Sequence, residues 1–375
     1  MIGVLVAALV AAQPAPADFA SYPVCVSVRA PIHEPCKLSQ TFDAETASRL
    51  IGTRNTIWWL HGDALTMIAR PTALPWVALC CSIQTGLDPI IGADLAAGTV
   101  RVPHLDEAVL DIKAAPGSGP TTTYRGIHAP PAPARSDPLQ GTLIDHDFAS
   151  PNLHEHRSVW FYVPPNLSAG TRLPVVYMAD GGAKDFAPIA EALILRKQIR
   201  PLILVGIEAA TPSRRPCLSD DCDRRGKEYE AGHDAADTPF KRHLHFLIEE
   251  VAPYVAAHYP VSKDRRERAL AGTSQGAVWA AQTAELRPDL FGAAIVLSGT
   301  GSVAKNPETL GSSRIFVSAG EFEADRLGAM KRFAEKARVA HADVQVDTIW
   351  AGHSDLTWDI LLARALIWLY PYPYQ

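Results

Sequence analysis

The sequence predicts an α/β fold: a mostly parallel sheet with helices on both faces, preceded by a small all-β sandwich. Three observations carry that prediction. From residue 140 to the end, short apolar β-rich runs alternate with helical segments, the pattern of strands joined by helical crossovers. Residues 18–113 contain only short β-rich runs divided by turn residues, which suits a sandwich. Between them, residues 114–139 are dense in Pro and Gly, including Pro116-Gly117-Ser118-Gly119-Pro120 and Ala129-Pro130-Pro131-Ala132-Pro133, and read as a semi-extended linker.

Length and composition agree. The chain has 375 residues, room for two domains, and 47% of them are hydrophobic, enough for sizeable cores. A net charge of −5 with no dominant basic patch argues against a nucleic-acid partner. The apolar run Ile2 to Ala12 is too short to span a bilayer. Followed by Ala15-Pro16-Ala17, it reads as a secretory signal over residues 1–17, cleaved before Asp18. No integral membrane segment remains after its removal, and the expected location is periplasmic or secreted. Six cysteines suit an oxidising compartment. Cys217 and Cys222 are expected to close a small loop, whereas adjacent Cys80 and Cys81 point to opposite faces of a strand and are not expected to pair. No C-x-x-C or fitting His spacing calls for a redox or metal role.

The sandwich strands are expected at Val24–Val28, Asn55–Leu60, Leu65–Ala69, Trp76–Ile83, Thr99–Val102 and Ala108–Ile112, with turns at Gly62-Asp63 and Ala97-Gly98. Trp58, Trp59 and Trp76 read as core or interface aromatics in preference to a carbohydrate platform. In the second domain, Arg157–Val163 alternates as an edge strand, and Pro174–Ala179 and Leu202–Ile207 read as buried strands around a helix at Lys184–Gln198. A polar insertion, Glu208–Asp237, precedes a long amphipathic helix at Pro239–His258, with Phe240, Leu244, Leu247, Ile248 and Val251 on one stripe. Strands then follow at Ala293–Leu297, Ile315–Ala319 and Val344–Trp350, with helices at Asp325–Ala340 and Leu356–Leu369.

Chemistry concentrates at Ala271-Gly272-Thr273-Ser274-Gln275-Gly276. A strand, then G-x-S-x-G, then a helix places Ser on a turn so tight that the residues two before and two after it must lack a side chain. Chance predicts such a pentapeptide about 0.1 times in a chain of this length. Ser274 is the candidate nucleophile. Its hydroxyl needs a base, and His353, on the loop after the last strand and behind Gly352, is the candidate. The loop after Ile315–Ala319 offers three carboxylates to orient that base, Glu323 first, then Asp325 and Glu321. Oxyanion donors are expected from the backbone of Gln275 and from the Gly181-Gly182 turn. In the insertion, Arg214, Arg215, Arg224, Arg225 and Lys227 suit either a lid steering acidic or phenolic substrates or solvated charge. His154, His156, His243 and His245 read as surface residues without a third metal ligand.

These pieces resemble a known group. From about Gly141 onward the chain is similar to the putative esterase family of α/β-hydrolases, which includes esterase D, feruloyl esterases, enterochelin esterases and mycolyltransferases. The resemblance rests on Val159-Trp160-Phe161-Tyr162-Val163-Pro164-Pro165, Val175-Val176-Tyr177-Met178-Ala179-Asp180-Gly181, Leu204-Val205-Gly206-Ile207 and Arg225-Gly226-Lys227-Glu228-Tyr229. It extends through Glu250-Val251-Ala252-Pro253-Tyr254, the Ser274 motif and Gly352-His353-Ser354. The resemblance implies Ser274 as nucleophile, His353 as base and, three positions after Gly320, Glu323 as the acid. The family often has a second Gly where this chain has Ala277, and an Asp where it has Glu323. A sandwich joined through a Pro-rich linker is similar to the enterochelin-esterase-like branch.

The expected function is therefore a serine carboxylic-ester hydrolase working through an acyl-enzyme, on a small-molecule or polysaccharide-linked ester, without metal or organic cofactor. An acyltransferase of the same fold and a non-catalytic glycan or cell-surface binding protein are the alternatives.

Overall fold

The structure, a computed structural model, describes residues 35–373 apart from 39, 72–77, 84, 114–121, 168–169, 212–221, 233–235, 237 and 302, and apart from the side chains of 78–81. The expected signal, the Val24–Val28 strand, Trp76, Cys217 (hence its bridge to Cys222), Arg214 and Arg215 lie outside the described residues. The chain forms two compact units. The first takes Met1–Pro130 together with Gly320–Ala324 and Ile349–Thr357. The second takes Pro131–Ala319, Asp325–Thr348 and Trp358–Gln375.

The first unit holds β1 (Cys36–Leu38), α1 (Ala44–Ile51), β2 (Thr56–His61), β3 (Ala64–Ala69), β4 (Ala78–Cys81), β5 (Thr85–Gly86), β6 (Asp88–Pro89), β7 (Ala96–Arg101), β8 (Val109–Lys113) and β9 (Thr122–Arg125). One antiparallel sheet runs β1-β7-β3-β2, with β6 also on β7, and a second runs β5-β4-β8-β9. Leu65, Met67 and Val100 of the first sheet share one buried core with Leu110 and Ile112 of the second. The β2–β3 hairpin turns at Gly62-Asp63, as expected, with Gly62 at φ 59°. Three details differ from the sequence reading. Ala97-Gly98 is not a turn but the middle of β7, where the bare Gly98 lets Leu87 pack within 3.0 Å of the missing Cβ. Asp43 caps α1 by accepting the Thr46 N–H, a helix of eight residues, too short to betray itself by a long periodic pattern. Thr122–Arg125, inside the stretch read as linker, pairs with β8 because its β-branched and aromatic residues fit a pleated surface. Trp59 is buried against Ile57 and Ile68, and Trp58 packs on the Leu65 core.

In the second unit an eight-stranded sheet contains β10 (Thr142–Ser150), β11 (Glu155–Val163), β12 (Val175–Met178), β13 (Ile203–Ile207), β14 (Arg268–Thr273), β15 (Ala293–Leu297), β16 (Arg314–Gly320) and β17 (Asp343–Ile349). Its order is β10-β11-β13-β12-β14-β15-β16-β17. β10, β11 and β13 pair antiparallel, and the pairs from β13 through β16 are parallel. Around it lie α2 (Ala183–Leu195), α3 (Arg224–Tyr229), α4 (Thr238–His245), α5 (Ala252–His258), α6 (Gln275–Leu286), α7 (Ala324–Val339) and α8 (Asp355–Leu369). The expected mostly parallel sheet is present. The Arg157–Val163 strand, however, is not the edge. β10 covers it, unread from sequence because His146 occupies an inward position, 4.9 Å from the ring of Tyr254, and breaks the apolar alternation.

The long helix expected at Pro239–His258 is α4 and α5 joined by a π-helical turn, Phe246–Val251. Pro253 has no N–H for the Glu249 carbonyl, and the helix widens just before it. The buried stripe is also rotated: His243, read as a surface residue, is fully buried. It follows Phe240 by three positions and precedes Phe246 and Leu247, so it falls on the core face. Trp279 Nε1 donates to His243 Nδ1 over 3.0 Å, which puts the ring proton on Nε2, where it finds no acceptor among the described residues. Burial, with the nearby Arg157 charge, pushes the His243 pKa down to about 3. The folded protein thus holds His243 neutral where the unfolded chain protonates it. Stability from this group is complete above pH of about 6.5 and falls as pH drops toward about 3, by at most about 1.4 kcal/mol per unit. Thermal unfolding followed across that interval is expected to show a shallower acid loss in His243→Gln than in wild type.

Candidate active site

Ser274 lies between β14 and α6 with φ 56° and ψ −123°. No L-residue takes that conformation without strain. It persists because β14 and α6 meet across two glycines. A Cβ on Gly272 would stand 2.0 Å from the Gly276 carbonyl oxygen, and one on Gly276 would stand 2.8 Å from the Ala179 Cβ. The Ser274 N–H donates to Leu297 O over 2.9 Å, pinning the turn to β15. Gln275 begins α6, so its backbone N–H has no intrahelical acceptor and the helix dipole there favours negative charge.

Beside this strand-to-helix elbow at Ser274, the chain leaving β12 makes a tight turn, Ala179–Gly181, in which Asp180 (φ 57°) and Gly181 (φ 66°) are both left-handed. A Cβ on Gly181 would fall 2.4 Å from a carboxylate oxygen of Glu208, which also accepts from Trp160 Nε1 and Lys184 Nζ. Gly181 and Gly182, the expected oxyanion turn, therefore stand against the amino end of α6 within this unit.

Among the described residues of the insertion, Arg224 and Arg225 are held in ion pairs. Arg224 pairs with Glu155 at 2.5 Å. Arg225 grips the Asp180 carboxylate with two nitrogens, at 2.6 and 2.8 Å, and also binds the Gln275 side-chain oxygen. Gly226 is bare because a Cβ would strike the Asp223 carboxylate at 2.3 Å. Glu228 receives both terminal nitrogens of Arg157 at 2.9 Å in a buried pair. The buried Tyr229 phenol accepts the Asp180 N–H at 2.9 Å, and burial raises its pKa well above the usual value, so it stays protonated. Sequence reading recognised this Arg-Gly-Lys-Glu-Tyr run but not its task, which is to hold the Asp180 turn. An insertion lined with cations whose acid partners stand far away in sequence gives no local signal of pairing.

The His353–Glu323 pair belongs to the first unit. His353 Nδ1 lies 2.5 Å from Glu323 Oε1, and Glu323 Oε2 accepts the Gly320 N–H at 2.9 Å. Glu323 is buried and His353 partly so. Of its two rivals, Asp325 is an exposed first-turn residue of α7 and Glu321 is half-buried. Gly352, expected to permit a sharp turn, is bare for another reason: a Cβ there would sit 1.7 Å from the Ser82 carbonyl oxygen. Among the described residues no cluster of three or more His, Cys, Asp or Glu side chains is arranged to hold a metal ion, and no helix is long and apolar enough to cross a membrane.

Residues 150–369, more than half of the chain, match the family described as "Putative esterase". The chain belongs to that family. It is 26% identical over 167 residues to the uncharacterized protein YjcH of Bacillus subtilis, a match covering 43% of this chain and 63% of YjcH, so it spans under two thirds of that relative. It is 22% identical to B. subtilis YbbA over 55% of this chain and 83% of that one. Among solved structures it is similar in fold to the enterochelin esterase of Shigella flexneri, with a TM-score of 0.60 at 16% identity, over 86% of this chain and 97% of the other. A ferulic acid esterase of Anaeromyces mucronatus, solved with ferulic acid, matches with a TM-score of 0.51 at 16% identity, over 63% of this chain and 93% of the other. The fold is that of α/β-hydrolase esterases.

The elbow makes a steric prediction. Gly272→Ala is expected to cost about 4 kcal/mol or more, read as lost soluble protein or a large fall in the denaturant midpoint, whereas Ala277→Gly, one position past the motif, should cost about 1 kcal/mol.

Proposed function

We propose that the protein is a serine carboxylic-ester hydrolase with Ser274 as nucleophile, His353 as general base and Glu323 as its orienting acid. The observation that carries this reading is the left-handed backbone of Ser274 at a strand-to-helix turn closed by two bare glycines. The Glu323–His353 hydrogen bond supports the other two roles. With Nδ1 engaged by Glu323, Nε2 is the nitrogen that takes the Ser274 proton as Oγ attacks the ester carbonyl. The tetrahedral oxyanion is met by the N–H groups of Gln275 and of the Gly181-Gly182 turn. Collapse expels the alcohol, protonated by His353, and leaves an acyl-enzyme that water resolves through the same base.

The substrates to assay first are enterochelin and feruloyl esters, because the two neighbours above are an enterochelin esterase and a ferulic acid esterase. Export to an oxidising compartment is supported by the Ile2–Ala12 run before Ala15-Pro16-Ala17 and by the six cysteines of the chain.

Hydrolysis of p-nitrophenyl butyrate by wild type and Ser274→Ala tests the reading. The variant is expected to lose on the order of 10⁴- to 10⁶-fold in kcat, and equal turnover by both would refute the assignment. Glu323→Gln is expected to lower kcat by about 10³- to 10⁴-fold, with Asp325→Asn and Glu321→Gln within about two-fold of wild type. Arg225→Met frees the Asp180 turn and is expected to lower kcat about 10- to 100-fold at a nearly constant KM.

A further inference from the structure

The loops that bear Glu323 and His353 are built into the β domain. Val109, the first residue of β8, donates its N–H to Trp350 O over 2.8 Å and forms a parallel bridge with Ala351. The Ser82 carbonyl fills the space a Gly352 side chain would need. Ser82 Oγ accepts the Asp111 N–H at 2.8 Å and lies 3.5 Å from Ser354 Oγ. Trp350 and Phe322 pack on the core that contains Leu65 and Leu110, and His104 stacks on Trp350 at 3.9 Å with the rings 10° from parallel. The two loops are also tied together: Phe322 donates to Ala351 O at 3.0 Å and Glu321 to Ile349 O at 2.9 Å. A Cβ on Gly320 would stand 2.1 Å from Ala351 O.

We propose that the N-terminal β domain positions the acid–base pair, with Val109, Ser82 and His104 setting the register of the loops that carry His353 and Glu323. These residues act through the backbone of 350–352, which lies within three positions of the imidazole. A hydrogen bond and the stacked His104 ring restrain Trp350, a β-bridge restrains Ala351, and a steric stop restrains the bare Gly352. The domain is thereby part of the catalytic machinery without touching substrate. This inference rests on the triad reading above.

The test uses the full chain carrying His104→Asn, which keeps a residue tolerant of the left-handed backbone (φ 51°) while removing the stack, and Val109→Pro, which removes the N–H at a strand start. Ile57→Val, in the other core of the same domain, controls for general destabilisation. Each is assayed for kcat and KM on p-nitrophenyl butyrate and for the downfield proton resonance of the His353 Nδ1–H. His104→Asn and Val109→Pro are expected to lower kcat about 10- to 100-fold with KM within about two-fold, as a displacement near 1 Å does. The His353 resonance should weaken or shift in both, while Ile57→Val leaves it and kcat as in wild type. Wild-type kcat and resonance in His104→Asn overturn the proposal, and so does a raised KM at constant kcat, which would make the domain a substrate-binding element. An equal loss in Ile57→Val overturns it as well. Ser274→Ala run beside them separates the two readings: if it is inert while the β-domain variants match wild type, only the positioning role fails, and if it stays active the triad itself fails.

Discussion

Two carbon atoms cannot exist at Gly272 and Gly276, and much of the second unit follows from that exclusion. With a Cβ at Gly272 standing 2.0 Å from the Gly276 carbonyl, β14 and α6 could not meet at one residue. Because they do, Ser274 is forced to φ 56° and the first free N–H groups of α6 arrive next to the Ala179–Gly181 turn. The strain at Ser274 is tolerated because the surroundings over-determine it. β14 is hydrogen-bonded between β12 and β15, and α6 is buried along nearly its whole length, Trp279 included.

The turn next to the elbow needs its own support, since two consecutive left-handed residues are unstable alone. α3 supplies it electrostatically. Arg225 and Tyr229 act on Asp180 from one side chain and one phenol, and the Arg157–Glu228 pair holds α3 to β11. A buried ion pair of this kind contributes little net stability once desolvation is counted. What it contributes is place: removing either partner leaves a buried charge, so alternative dockings of α3 are costly. Arg224 and Arg225 of the insertion are thus spent on intramolecular order.

A similar logic governs the loops after β16 and β17. A histidine on an exposed loop samples many rotamers, and ordering it costs entropy. Here Trp350 and Phe322 surrender apolar surface to the β-domain core, so the hydrophobic effect that folds that domain also orders the loops beside His353. The bare Gly352 and Gly320 let backbone pass backbone at distances no side chain would allow.

Much of this was legible in the linear chain. Alternating β-rich and helical runs announce a mostly parallel sheet, because each pattern reflects which face is buried, and burial period is a local property. The Ser274 motif is equally local: a strained turn can be recognised from the residues that make it. His353 and Glu323 could be placed on the loops after the last two strands, but among Glu321, Glu323 and Asp325 the chain offers three equivalent carboxylates. Only the folded chain tells them apart: Glu323 is buried with its oxygens on the Gly320 N–H and the imidazole, while Glu321 is half-buried and Asp325 exposed. The same holds for His243, whose polarity suggests a surface and whose helical phase buries it, and for β10, hidden by an inward His146. It holds also for Arg225 and Val109, whose partners lie 45 residues away at Asp180 and at Trp350 far beyond. Residue type and spacing report on what a segment does with its neighbours in sequence. Pairings between distant segments depend on which backbones pack together, and that is a property of the folded chain alone.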